Sequence, residues 1–132
     1  MNTLKVLFHV NESARWQTVL VNISNFLKDV GRDSADIEVL ANGEAVSIFG
    51  NGCLLAGEED DGQKASCGIG NGSFSDQTQK LSEAGVNFVV CRNSLESYSI
   101  GEDSLPAFVT VVPAGITEIV RKQAQGYAYI KP

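Results

Sequence analysis

The chain has 132 residues, the size of one ordinary domain of ~100–150 residues, and its 43% hydrophobic and 20% charged residues argue against a disordered, collagen-like or disulfide-scaffold chain. Ten basic against sixteen acidic residues give a formal charge of −6, so no basic field attracts a phosphate backbone or an anionic lipid, and neither nucleic acid nor membrane is an expected partner. No apolar run approaches the ~18–20 residues of a bilayer span, and the short apolar start, Val6-Leu7-Phe8, has no small-residue cleavage site after it, so the cytoplasm is the expected compartment.

Leu4 to Val10 is an apolar run of strand length that suits a strand covered on both faces. From Ser13 the period becomes helical: Trp16, Val19, Leu20, Ile23, Leu27 and Val30 share a face. Ser13 is the expected N-cap of this helix, and Gly31 stands where a C-terminal glycine ends one. Ile37-Glu38-Val39-Leu40 reads as a second strand. Asn42 is placed to cap a helical turn in which Ala45, Ile48 and Phe49 share a face.

Gly50 to Ser75 interrupts the alternation. It holds seven of the thirteen glycines, the acidic run Glu58-Glu59-Asp60-Asp61, and both Cys53 and Cys67. A compact domain seldom carries more than ~12–15 residues of structureless loop, so this stretch reads as a lid, an interface element or a mobile insert at 50–75 of a single domain spanning 1–132.

The pattern resumes with a short helix from Ser75 or Asp76 to Gly85 and a third strand, Val86 to Val90, closing on Cys91. Asn93, with Glu96 three residues on, is the expected N-cap of a turn through Leu95 and Tyr98. Phe108 to Val112 is a β-branched fourth strand stopped by Pro113. Ile116, Ile119, Val120 and Ala124 predict the inner face of a last helix, with Arg121 and Lys122 complementing its carboxyl-end dipole. Tyr127 to Ile130 finishes as a fifth strand. Such alternation predicts an α/β fold: a five-stranded, mostly parallel sheet with helices on both faces, because parallel neighbours need crossover connections.

Ligands of an open parallel sheet bind beyond the carboxyl ends of its strands. That rim collects Asn11 and Glu12, Asn42 and Gly43, Cys91 to Ser94, and Pro113 to Gly115. Three cysteines without an export signal point to free thiols rather than a disulfide framework. Cys91 is the strong nucleophile of the rim: a capped turn after it would bring free backbone N–H groups to its sulfur and favour thiolate. Buried cysteines also pack well at strand ends, so a purely structural Cys91 is the competing reading. His9, near the end of the first strand, is a candidate to orient or deprotonate a bound sulfur species, or else a hydrogen-bonded histidine between sheet and helix. Asn11 and Asn42 are candidate ligand contacts for which turn and cap duties are the alternative. Cys53 and Cys67 fit no zinc spacing, and Gly68-Ile-Gly70-Asn-Gly72 lacks both the third glycine of a dinucleotide loop and a Walker lysine. No metal and no cofactor are expected.

Three strings carry a resemblance. Val6-Leu7-Phe8-His9-Val10-Asn11-Glu12 leading into the Trp16 helix, Gly85-Val86-Asn87-Phe88-Val89-Val90-Cys91-Arg92-Asn93-Ser94-Leu95, and the closing Val112-Pro113-Ala114-Gly115-Ile116 to Ile130 stretch together resemble the DsrE/DsrF-like family of small α/β proteins. The resemblance implies a flavodoxin-like three-layer α/β/α sandwich that assembles as a homotrimer or a hexamer. It further implies a sulfur relay in which Cys91 accepts a sulfane sulfur as a persulfide and passes it to a partner protein, with Asn93 and Ser94 shaping the pocket. It gives Cys53 and Cys67 no such part. A sulfurtransferase-like carrier is therefore one expectation; a noncatalytic small-ligand or assembly module of the same fold, with a structural Cys91, is the other.

Overall fold

The computed structural model describes residues 3–49 and 74–132; the expectations about the 50–75 insert, including Cys53 and Cys67, fall almost entirely outside them. Five strands form one sheet: β1 (Leu4–Val10), β2 (Ala35–Ala41), β3 (Asn87–Cys91), β4 (Val109–Val112) and β5 (Ala128–Ile130). Their spatial order is β4-β3-β2-β1-β5, and every pairing is parallel. Val10 pairs with Ala41 and Cys91 with Val112, so the carboxyl ends of four neighbouring strands form one rim.

Alternation along the strands divides the core into two layers. Val6, Phe8 and Val10 of β1, Ile37 and Val39 of β2, and Phe88 and Val90 of β3 join the larger cluster on one side. Covering them are α1 (Trp16–Val30), a 3-10 segment at Gly43–Phe49, and α2 (Phe74–Glu83). Leu7, Leu40 and Val89 face the other way, toward Val112, Ile119 and Tyr127. Helix α4 (Gly115–Ala124) covers that second face; a short α3 (Arg92–Ser97) follows β3 directly. The β4-to-β5 connection crosses the whole sheet, which puts α4 on the face opposite α1 and completes the three-layer α/β/α arrangement.

Trp16 anchors the larger layer. Its ring meets Phe49 and Phe74 edge-on at 6.0 and 5.0 Å between centroids, and those two rings lie 5.8 Å apart. Its indole N–H donates to the Ala45 carbonyl at 3.0 Å. Phe49 and Phe74 are the described residues on either side of positions 50–73. Gly31, at φ +85°, ends α1 in the left-handed region that a side chain resists.

Several local expectations need correction. Ser13 does not cap α1: it lies in a preceding 3-10 turn, Ser13–Arg15, its N–H donating to Glu44 Oε1 at 2.7 Å and its hydroxyl facing the Glu44 carbonyl. Helix α2 already includes Phe74, ahead of the expected start at Ser75 or Asp76, and that residue is buried in the aromatic cluster. Asn93 is not an N-cap either; Cys91 holds that position with extended backbone, φ −88° and ψ 123°, and the helix starts at Arg92. The largest correction concerns α4. Ile116 and Val120 are 66% and 63% exposed and Ala124 is exposed, while Gly115, Glu118, Ile119 and Lys122 turn inward. Glu38, buried in β2 on the α4 face, is met by this side of the helix: Lys122 Nζ lies 3.4 Å from its Oε1, and a buried polar group favours such a partner.

Candidate functional site

The rim gathers its polar groups around Cys91. The residue is 5% exposed, at the last position of β3, where the chain turns at once into α3. That abrupt turn directs the first free N–H groups of α3 back at the sulfur. Across the rim, the N–H of Gly115, at the start of α4, donates to Cys91 Sγ at 3.3 Å. Ser94 completes the set. Its Oγ accepts the Gly43 N–H at 2.8 Å, which leaves its own proton free for the sulfur.

The electrostatic result is a lowered thiol pKa. Burial is the largest influence and pushes the thiol up; hydrogen bonds from the Ser94 hydroxyl and from the backbone N–H groups of Ser94, Gly115 and Asn93 together outweigh it and bring the net shift downward. The donors are neutral. Arg92 adds nothing at the sulfur, because its guanidinium pairs with Glu102 Oε2 at 2.6 Å on the surface.

Gly115 permits this approach because it has no side chain. A Cβ there would lie 3.3 Å from Asn42 Nδ2 and 3.4 Å from Cys91 Cβ, so the Asn42 amide and the cysteine flank one small space floored by a glycine. Asn42 does not cap the 3-10 segment with its side chain. Its carbonyl accepts the Ala45 N–H at 3.2 Å, and its Oδ1 sits 2.8 Å from His9 Nε2. His9 is buried, with Nδ1 2.6 Å from the Tyr129 hydroxyl. Both ring nitrogens are engaged by these partners.

The structure thus brings together Cys91, Ser94, His9 and Asn42. Asn93 contributes its backbone N–H, while its side chain is exposed. Asn11 stands beside Gly43, whose added Cβ would meet the Asn11 carbonyl at 3.4 Å; its side chain makes no hydrogen bond within the site. Tyr129 is absent from the sequence-based candidates, since nothing in a terminal Tyr-Ala-Tyr-Ile run says that β5 pairs with β1 beside His9. Among the described residues no group of three or more His, Cys, Asp or Glu side chains could hold a metal ion, and no helix is long and apolar enough to cross a membrane.

A model described as the DsrE/DsrF-like family matches residues 5–132. Among solved structures, a protein of unknown function from Methanobacterium thermoautotrophicum, MTH1491, superposes with a TM-score of 0.75 at 28% identity, over 98% of this chain and 99% of that one. The ychN protein from E. coli gives 0.72 at 12% identity, over 98% of this chain and all of that one; at that identity the likeness is one of fold. No curated protein matches the chain.

Proposed function

The chain belongs to the DsrE/DsrF-like family, and on that premise we propose that it is a sulfur-relay subunit, a persulfide carrier acting through Cys91. One observation carries the reading: a thiol with a lowered pKa, under neutral N–H and O–H donors from two helices, at the carboxyl rim of a parallel sheet.

The chemistry suits those donors. The Cys91 thiolate attacks the outer sulfur of a donor persulfide, R–S–SH. A bond forms from Sγ to that sulfur, the donor's S–S bond breaks, and R–S⁻ leaves with the electron pair. One sulfur atom moves without change of oxidation state, so no external oxidant or reductant is needed. In the second transfer an acceptor thiolate attacks the outer sulfur and Cys91 departs as thiolate. A lowered pKa raises the thiolate fraction for the first step and improves the leaving group for the second.

Incubation with inorganic polysulfide followed by intact mass measurement tests the proposal. Wild type is expected to gain the mass of one sulfur atom at Cys91, and Cys91→Ser to lose that gain. Equal uptake by the variant, or none by wild type, removes the reading. The burial of Cys91 favours a second reading, a noncatalytic module in which the cysteine is structural. Alkylation by iodoacetamide separates them: a carrier's rate stays high well below the ordinary thiol pKa of ~8.5, whereas a structural thiol's falls away.

Self-association is part of the proposal. Ile116 and Val120 lie one turn apart on the outer face of α4 and are largely exposed, an apolar pair that a second copy of the chain would cover. Light scattering after gel filtration is expected to report an oligomer for wild type and a smaller species for Ile116→Lys/Val120→Lys. A monomeric wild type, or an unchanged mass in the variant, counts against it.

A further inference from the structure

A polar chain runs through the site that the thiolate does not use. Tyr129 Oη is 2.6 Å from His9 Nδ1, and His9 Nε2 is 2.8 Å from Asn42 Oδ1, linking β5, β1 and the turn after β2. An amide oxygen only accepts, so the proton of the second bond belongs to Nε2; Nδ1 is then the acceptor, and the Tyr129 hydroxyl donates to it. The tautomer of His9 and the orientation of the Asn42 amide are fixed together. With Oδ1 held by His9, Nδ2 points away from the ring, has no acceptor among the described residues, and borders the space shared by Gly115 and Cys91.

We infer that Asn42 Nδ2 is the hydrogen-bond donor for the outer sulfur of a Cys91 persulfide, and that His9 and Tyr129 are positioning residues that hold the amide for it. The inference rests on the sulfur-relay reading above. When Cys91 is a thiolate, its charge sits on Sγ, where Gly115, Ser94 and Asn93 already donate. Once sulfur is loaded, the proton of the new terminal S–H passes to solvent and the negative charge resides on an atom about 2 Å farther out, one S–S bond away. Donors arranged around Sγ no longer match it. Asn42 supplies a donor at the next position, and a neutral one, which stabilises the anion without holding the cargo in an ion pair.

Loading reverses no redox state: with inorganic polysulfide, the thiolate attacks a terminal sulfur, an S–S bond forms as another breaks, and the shortened polysulfide leaves with the electron pair. Wild type, Asn42→Ala, Asn42→Asp, Tyr129→Phe and the double variant Asn42→Ala/Tyr129→Phe are loaded in this way, freed of reagent, and followed by intact mass in a fixed concentration of glutathione. Asn42→Asp keeps the acceptor for His9 while deleting the donor, so it tests the inference if Asn42→Ala folds poorly.

Loss of one hydrogen bond to a charged group is expected to speed loss of the extra sulfur about tenfold or more in both Asn42 variants. Tyr129→Phe is expected to act in the same direction with a smaller factor, and the double variant to decay no faster than Asn42→Ala, because Tyr129 works through the amide. A persulfide on Asn42→Ala and Asn42→Asp as long-lived as on wild type overturns the inference while leaving the relay intact. Multiplying effects in the double variant overturn the positioning role of Tyr129. A wild type that takes up no sulfur removes the relay reading itself.

Discussion

At pH 9 the Glu38→Gln protein is expected to resist urea better than the unmodified chain, and the difference is expected to vanish toward pH 4. Glu38 is 3% exposed, in the middle of β2 beneath α4. Burial is the main reason its carboxyl is pushed up to about 8; the neighbouring Glu118 carboxyl adds to the rise by hydrogen bonding and repulsion, and Lys122 opposes it without prevailing. Its Oε2 is buried with no hydrogen-bond partner among the described residues, and a buried carboxyl oxygen without a donor favours the protonated form. In the unfolded chain the same group titrates near ~4.3.

Between those two values the folded protein holds a proton that the unfolded chain has released. Stability therefore falls as pH rises across that window, by at most ~1.4 kcal/mol per pH unit. Below the window both states are protonated and Glu38 imposes no penalty; above about pH 8 both are ionised and the full penalty is present. Glutamine fills the same space without a charge to desolvate, and the gain at pH 9 is a few kcal/mol, with about 5 kcal/mol as the upper bound. Urea unfolding at pH 5, 7 and 9 measures it. Parallel profiles for the two proteins would show that the carboxyl ionises normally.

Trp16→Ala is expected to destabilise the fold by about 3–5 kcal/mol, the range for emptying a large aromatic from a core, against a total of ~5–15 kcal/mol for a typical domain. The indole is where α1, the 3-10 segment and α2 meet, through edge contacts to Phe49 and Phe74. Its removal leaves a cavity and strips the buried Ala45 carbonyl of the donor that reaches it at 3.0 Å. Trp16→Phe separates the two effects, since it keeps an aromatic ring and loses the N–H; about 1 kcal/mol is expected from the hydrogen bond. Denaturant midpoints of the two variants decide it, and a loss of under about 1 kcal/mol for Trp16→Ala would contradict the shared-anchor arrangement.

Both predictions concern places where the two faces of the sheet differ. The α1 side is a continuous apolar layer, and hydropathy reads it correctly: Trp16, Val19, Leu20 and Ile23 are all buried as their spacing requires. The α4 side mixes Leu7, Leu40 and Val89 with the buried carboxyl group of Glu38, and there the rule that apolar residues turn inward misplaces Ile116, Val120 and Ala124. A buried polar carboxyl in β2 meets the inward-turned Lys122 of this ten-residue helix, an arrangement that the apolar periodicity of the helix does not register, because a buried polar group is costly without a partner.

The same division holds at the site. Cys91 and Ser94 were legible because a cysteine at a strand end, followed by a turn, has its donors nearby in the chain; Asn42 was legible as a rim residue and His9 as a residue near the end of the first strand. Their roles were not. That His9 is held between Asn42 and Tyr129 depends on β5 lying beside β1, and the Gly115 N–H reaches Cys91 because β4 pairs with β3.

Local chemistry in the sequence thus determined the strands, the first helix, the parallel class of the sheet and the place of Cys91 at a strand end before a turn, all of which follow from side chains within a few positions of one another. Tertiary structure decided the order of the strands, the rotation of α4, the place of Cys91 as N-cap of α3, and the Tyr129–His9–Asn42 chain. These depend on pairs as far apart as residues 9 and 129, whose meeting is set by burial and charge across the whole sheet, to which no local pattern in the chain responds.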